Sequence, residues 1–349
     1  MDLQVLWFVI IAVLFLGYFI LEGFDFGVGM LLPFLGGKTP EEKSARRSAA
    51  IKTIGPVWDG NEVWLITAGG ALFAAFPEWY ATMFSGFYLP LLLILLSLIL
   101  RGVGLEWRSK VDTERWRKWC DTGTAIGSWA PSLLWGVAFA NLLRGVPVDA
   151  NRQINSGIEG LIGLLNPYGL LGGLTFVLLF MLHGAMFLGF KTEDPLRARV
   201  QEFGLRWLMI PTIIVVIAFS LWTQLAYGRP ETWWALAAMV ITLSLGIIAL
   251  LRERDGWAFA ATALSVAALV IQIFGSMFPY LVPTTLSDGV SLDIWNSSSS
   301  DYTLTVMSWA ALLLLPGVLV FQGWTYWVFR NRVAVHTSPV AGDPTPAAV

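Results

Sequence analysis

The stretch Gly55 to Ala75 reads Gly-Pro-Val-Trp-Asp-Gly-Asn-Glu-Val-Trp-Leu-Ile-Thr-Ala-Gly-Gly-Ala-Leu-Phe-Ala-Ala, an apolar span that nonetheless carries Asp59, Asn61 and Glu62. Acids are expensive to hold inside a membrane helix and mark a functional site by default. On a helix Asp59 and Glu62 share a face continued by Val63, Ile66 and Gly69 or Gly70, whereas Asn61 and Trp64 point elsewhere. The span therefore has one acidic face and one amide and indole face.

Working outward, 56% of the chain is hydrophobic and 13% charged, against about 25% charged in soluble domains. That composition implies an all-α integral membrane protein. Its 349 residues hold roughly nine spans of about 20 residues each, with no room for a separate soluble domain. The net charge of -2 identifies no partner, and nothing points to nucleic acid. Cys120 is the single cysteine, which excludes an internal disulfide and a cysteine cluster for iron-sulfur or structural zinc. His183 and His336 are the only histidines, too few for a haem-copper centre built by this chain alone. The first apolar run lacks a basic leader and reads as a retained helix.

Nine transmembrane helices are expected within residues 1–331, at about 5–32, 56–77, 82–100, 122–143, 167–190, 207–227, 232–251, 256–280 and 304–329. With the N-terminus outside and the C-terminus in the cytoplasm, 19 of the 22 basic residues fall in inner loops. Arg144, Arg152 and Arg229 alone lie outside, the asymmetry that the positive-inside rule requires. Tryptophans such as Trp107, Trp116, Trp119, Trp233 and Trp234 sit at span ends as interfacial anchors. Pro90, Pro131, Pro211 and Pro316 predict kinks. Gly23, Gly27, Gly69, Gly70, Gly172 and Gly173 offer faces for close helix approach. Longer connections are expected at 33–55, 101–121, 144–166 and 281–303, and a disordered cytoplasmic tail at 332–349. A plausible packing is two antiparallel four-helix bundles plus one peripheral helix.

The orientation sets depth. Tyr18, Glu22 and Asp25 form one face near the inner end of the first span, Asp59 and Glu62 open the second, and Arg101 and Glu106 close the third. A proton-uptake mouth or cation site is one reading of this acidic group. A structural network neutralised by Arg101 is the other, and spacing alone leaves them evenly balanced. Among these residues Asp59 is the hardest to dismiss, with Trp58 before it and an amide two residues on. His183 reads, at about three to one, as a hydrogen-bonded interhelical residue and not a haem ligand. Met181 and Met186 read as packing, and His336 receives no role.

Several blocks then match a known pattern: Gly-Phe-Asp-Phe-Gly-Val-Gly-Met (23–30), Trp-Asp-Gly-Asn-Glu-Val-Trp-Leu-Ile-Thr-Ala-Gly-Gly-Ala-Leu-Phe-Ala-Ala (58–75), Phe-Ser-Gly-Phe-Tyr (84–88) and Glu-Trp-Arg-Ser-Lys (106–110). The match continues through Gly-Val-Ala-Phe-Ala-Asn-Leu-Leu-Arg-Gly-Val-Pro (136–147), Leu-Leu-Asn-Pro-Tyr-Gly-Leu-Leu-Gly-Gly (164–173), Met-Phe-Pro-Tyr-Leu-Val-Pro (277–283) and Val-Met-Ser-Trp (306–309). In order and over almost the whole length, the chain resembles subunit II of the cytochrome bd quinol oxidases. The resemblance implies a bacterial respiratory complex that oxidises a quinol, reduces dioxygen to water with cytoplasmic protons, and builds a gradient without pumping. It implies a heterodimer with a haem-bearing subunit I, which holds haem b558, haem b595 and haem d and carries the quinol loop. Asp59 and Trp64 then match channel residues of the family, and Glu106 stands where an acid lines the mouth. With Asn61 and Glu62 they form the expected proton path. Glu22 and Asp25 match a two-acid motif and, with Arg101, make a candidate acidic ion or proton site. The family context also admits a structural quinone on this subunit and small accessory subunits, for which no motif stands here. The chain departs from better-known members in a short loop after the sixth span, in a tail without their polar ending, and at His183.

A proton-coupled secondary transporter is the alternative, since edge acids, glycine pairs and kinked helices suit that class too. A visible spectrum separates the two: haem bands with a stable partner favour the oxidase, and a colourless chain that moves solute alone favours the carrier.

Overall fold

Long runs without helix breakers make long helices here, and the caps are where the sequence places them. In a computed structural model that describes residues 2–335, Asp2 caps α1 (Leu3–Leu31), its carboxylate accepting the Gln4 amide. Thr39 caps α2 (Pro40–Ile54), which has Pro at its first position and Glu41 and Glu42 in its first turn. Next come α3 (Trp58–Ala75), α4 (Pro77–Gly86) and α5 (Tyr88–Trp107). Thr113 caps α6 (Glu114–Arg144), and Gly145, at φ +90°, turns the chain out of it. Then follow α7 (Ile158–Leu164), α8 (Pro167–Lys191) with Asn166 as cap, and α9 (Leu196–Phe203). A π-helical turn at Gly204–Leu208 joins α9 to α10 (Met209–Ala226). The last helices are α11 (Trp233–Leu251), α12 (Asp255–Met277) and α13 (Asp301–Val328). Between α12 and α13, β1 (Tyr280–Val282) pairs antiparallel with β2 (Leu292–Asp293).

Among the described residues, eight helical segments are long and apolar enough to cross a membrane. The expected span at 56–77 corresponds to α3, which is not among them; its 18 residues spend their first turns on Asp59, Asn61 and Glu62. The expected span at 82–100 is corrected: the chain breaks at Phe87, so 82–86 belongs to α4 and the spanning helix runs on to Trp107. Two of the expected long loops are partly helical, 33–55 holding α2 and 144–166 holding α7, and 281–303 carries the small sheet. The tail is also corrected. The Val333 amide donates to the Lys191 carbonyl at 2.8 Å and Arg332 pairs with Asp255 at 3.1 Å, so the chain is ordered to 335. His336 and the rest of the tail lie outside the described residues.

Helices α1, α3, α5 and α6 make one group and α8, α10, α11 and α12 another, while α13 packs mainly against α1 and α3. Along α13 the one buried residue is Leu304. The two groups meet at an aromatic core. Phe15 packs on Phe139 at 5.2 Å, Phe19 on Phe176 at 5.1 Å and Phe139 on Phe274 at 5.7 Å. Gly27 lets α1 meet α8, since a Cβ there would lie 2.0 Å from the Phe180 carbonyl oxygen and 2.7 Å from Gly184 Cα. Gly69 and Gly70, by contrast, face open space.

One end of the molecule collects the basic loops. Arg47 and Arg108 share Asp121 at 3.3 and 2.5 Å, and Arg197 and Arg332 share Asp255 at 2.8 and 3.1 Å. Gly27→Val should therefore destabilise the chain by at least about 1–3 kcal/mol through overpacking. Thermal unfolding in detergent checks this, with Gly163→Ala, which meets nothing within 4 Å, expected to leave the midpoint unchanged.

Candidate functional site: a buried acid and guanidinium network

Arg101 reaches inward from α5, fully buried, and its charge must be met inside the helix group. Its Nη1 donates to Glu22 Oε1 of α1 and, at 3.0 Å, to Glu62 Oε1 of α3. One cation thus ties three helices together. The Phe26 ring stands 5.0 Å from the guanidinium and the Trp58 ring 6.0 Å, closing it off from the surface.

A second branch starts one turn further along α1. Asn61 Nδ2 donates to Asp25 Oδ2 at 2.6 Å, with both residues fully buried. Asn61 Oδ1 accepts from the Tyr326 hydroxyl at 2.7 Å and from Gln322 Nε2 at 3.3 Å. Gln322 in turn accepts from Trp64 Nε1 at 2.7 Å. The peripheral helix α13 therefore supplies two polar side chains to the site. The expected amide and indole face of α3 is the side turned toward α1 and α13. Neither Tyr326 nor Gln322 stood out in the sequence, although a glutamine inside an apolar run was a signal to follow.

Asp59 and Glu106 stand apart from the buried group. Asp59 is exposed on the first turn of α3 and accepts only from the Gly60 amide, at 2.8 Å. Glu106, also exposed, accepts from Trp58 Nε1 at 3.3 Å. Trp58 thus lies between surface Glu106 and buried Arg101. Of the acids expected near the inner ends of the first three spans, Glu22, Asp25 and Glu62 are the ones gathered around Arg101. Inside the group, Tyr18 Oη, Glu22 Oε2, Asp25 Oδ1 and Arg101 Nε and Nη2 are buried without a protein partner. Buried polar atoms of this kind are where internal water is bound.

His183 lies on α8, with Nε2 3.1 Å from the Ile20 carbonyl and Nδ1 2.8 Å from Thr262 Oγ1. A carbonyl only accepts, so Nε2 carries the proton and Nδ1 faces the hydroxyl. The ring stacks on Phe259 at 4.8 Å. Met181 and Met186 are buried packing residues.

The sequence matches the family model described as "Cytochrome bd terminal oxidase subunit II" over residues 3–329. The chain belongs to the cytochrome bd terminal oxidase subunit II family. It is 43% identical over 344 residues to "Cytochrome bd ubiquinol oxidase subunit 2" of Bacillus subtilis (strain 168), covering 97% of this chain and 99% of that one. It is 35% identical over 369 residues to "Cytochrome bd-I ubiquinol oxidase subunit 2" of Escherichia coli (strain K12), covering 95% of each. Among solved structures, a chain of "The structure of bd oxidase from Geobacillus thermodenitrificans" superposes with a TM-score of 0.71 at 20% identity, covering 94% of this chain and 99% of that one. That likeness shows the fold.

For a bd oxidase subunit, haem ligation is the first chemistry to test. His183, the one histidine among the described residues, has both ring nitrogens engaged inside the protein, so it does not fit an axial ligand. Among the described residues no group of three histidine, cysteine or acidic side chains is placed to hold a metal ion. No step through haem is assigned to this subunit.

The network itself is tested by its charge. Arg101→Met should cost about 3–5 kcal/mol, because it leaves buried Glu22 uncompensated. Arg101→Met with Glu22→Met should lose less than the single change, read as thermal unfolding midpoints of the purified protein.

Proposed function

We propose that this chain is subunit II of a quinol:oxygen oxidoreductase in a bacterial cytoplasmic membrane, paired with a haem-bearing subunit I that holds haem b558, haem b595 and haem d. On the charge distribution of its loops the basic end faces the cytoplasm. Its own contribution is a proton-uptake path. The observation that carries this reading is the continuous polar run through the apolar helices, from Gln322 and Tyr326 through Asn61 to Asp25, beside Glu22 and Glu62 on Arg101.

The chemistry follows from the count of charges. The one guanidinium pairs with Glu22 and Glu62 while Asp25 is held by Asn61, so three carboxyl groups stand beside a single cation and protons balance what it does not. Carboxyl groups at hydrogen-bonding distance from amides and a phenol pass protons by turning and re-forming those bonds, and water at the unpartnered oxygens extends the chain. Asp59 and Glu106 stand at the mouth, where exposed carboxylates collect protons from the aqueous side. Trp58 and Phe26 screen Arg101 from that mouth. Family membership tells against the carrier reading, which no observation in the fold favours.

The test is oxygen consumption by the assembled complex. Asp25→Asn, Glu62→Gln and Asp59→Asn should each lower turnover about tenfold or more with the haem spectrum intact, because each removes a proton-carrying group from the path. Full activity in all three would overturn the path and leave a subunit with a purely structural role. A milder loss, of a few fold, is expected for Tyr326→Phe, which removes one hydroxyl while α13 keeps its packing.

A further inference from the structure

A second feature lies away from this network, where α6 and α8 diverge near the basic end. Between them runs a groove of about 650 Å³, roofed at its basic end by Leu32 and Arg47 and floored by apolar side chains of α6 and α8. From Thr122 to Leu133 the groove follows twelve residues of α6, eleven rises of 1.5 Å or about 16 Å. That is about half of a ~30 Å hydrocarbon layer, the depth of one leaflet.

The mouth is cationic although it contains an acid. Asp121 is already held by Arg108, whose Nε lies 2.5 Å from Oδ1, and Arg108 is itself buried. Arg47 approaches the same carboxylate at 3.3 Å and donates through Nε to the Leu32 carbonyl, keeping its outer guanidinium edge partly exposed. Lys118 has no carboxylate within ion-pair distance among the described residues and is exposed at the lip. Arg47 and Arg108 thus share the one carboxylate, and Lys118 adds a further positive charge at the lip. Below them Ile126, Trp129, Leu133 and Leu174 give a wall without charge.

We propose that this groove binds an anionic phospholipid of the leaflet on the basic side, its phosphate between Arg47 and Lys118 and one acyl chain against Ile126, Trp129 and Leu133. Charge complementarity selects the occupant: the surplus positive charge sits at headgroup depth and the apolar wall at chain depth. An uncharged isoprenoid would use the wall and leave the cations unmatched. A free phosphate would use the cations and leave the wall empty. The site shares no residue with the acidic network, so it stands or falls independently of the proton path.

The experiment uses the full chain with the subunits that co-purify with it, stripped of lipid in detergent and titrated with phosphatidylglycerol, phosphatidylcholine or inorganic phosphate. Native mass spectrometry counts bound lipid and thermal unfolding follows stability. Phosphatidylglycerol should be retained and raise the midpoint, whereas phosphatidylcholine and inorganic phosphate should do neither. Lys118→Glu should weaken phosphatidylglycerol retention by roughly fivefold or more. Ala130→Trp, which fills the groove below the mouth, should abolish it with the cations in place. Equal retention of both phospholipids, an equal effect of inorganic phosphate, or full retention in the two variants would overturn the proposal.

Discussion

The buried polar network of this chain is organised by Arg101, a fully buried cation on α5 shared between Glu22 of α1 and Glu62 of α3. A guanidinium in hydrocarbon is tolerable only with its partners in place. That requirement fixes the rotation and height of α1, α3 and α5 relative to one another more tightly than apolar packing does. Leucines exchange places at little cost, and ion pairs do not. The same constraint explains why α3 holds its place although its first turns are too polar to read as an ordinary membrane helix.

Two kinds of contact then divide the work. Close approach through Gly27 and Gly184 and the aromatic core around Phe19, Phe139 and Phe274 bring the two helix groups together. The cluster of Glu22, Asp25, Glu62 and Arg101 lies on the α1, α3 and α5 side, and α13 adds Gln322 and Tyr326 from outside. Since α13 is otherwise exposed, its hydrogen bonds to Asn61 position it as much as its packing does. His183, in the opposite group, bridges α1 and α12 through both ring nitrogens, a structural use of the residue.

Much of this was legible from residues alone, because membrane physics restricts the menu. Backbone groups in lipid must be satisfied locally, so apolar runs become helices and basic residues mark one set of loops. The three-residue spacings of Glu22 with Asp25 and of Asp59 with Glu62 located the acidic region, and the blocks at 23–30 and 58–75 carried the family. What the sequence did not reveal was partner choice. Spacing grouped Asp59 with Glu62, yet Glu62 turns to Arg101 and Asp59 faces outward, since a helix face spans a wide arc and only the neighbouring helix decides which edge is covered. The break at Phe87 was missed because Phe76-Pro77 and Phe87 interrupt the helix without lowering hydropathy. Tyr326 and Gln322 were missed because α13 is distant in sequence, Tyr326 standing 265 positions after Asn61.

The claim at the centre is that these buried carboxyl groups exchange protons while the complex turns over. Redox-induced infrared difference spectroscopy of the assembled oxidase reads that directly. The account predicts bands in the protonated-carboxyl region that shift in deuterium oxide and lose a component in Glu62→Gln and in Asp25→Asn. A difference spectrum with no carboxyl signal, or one that neither substitution changes, would contradict it.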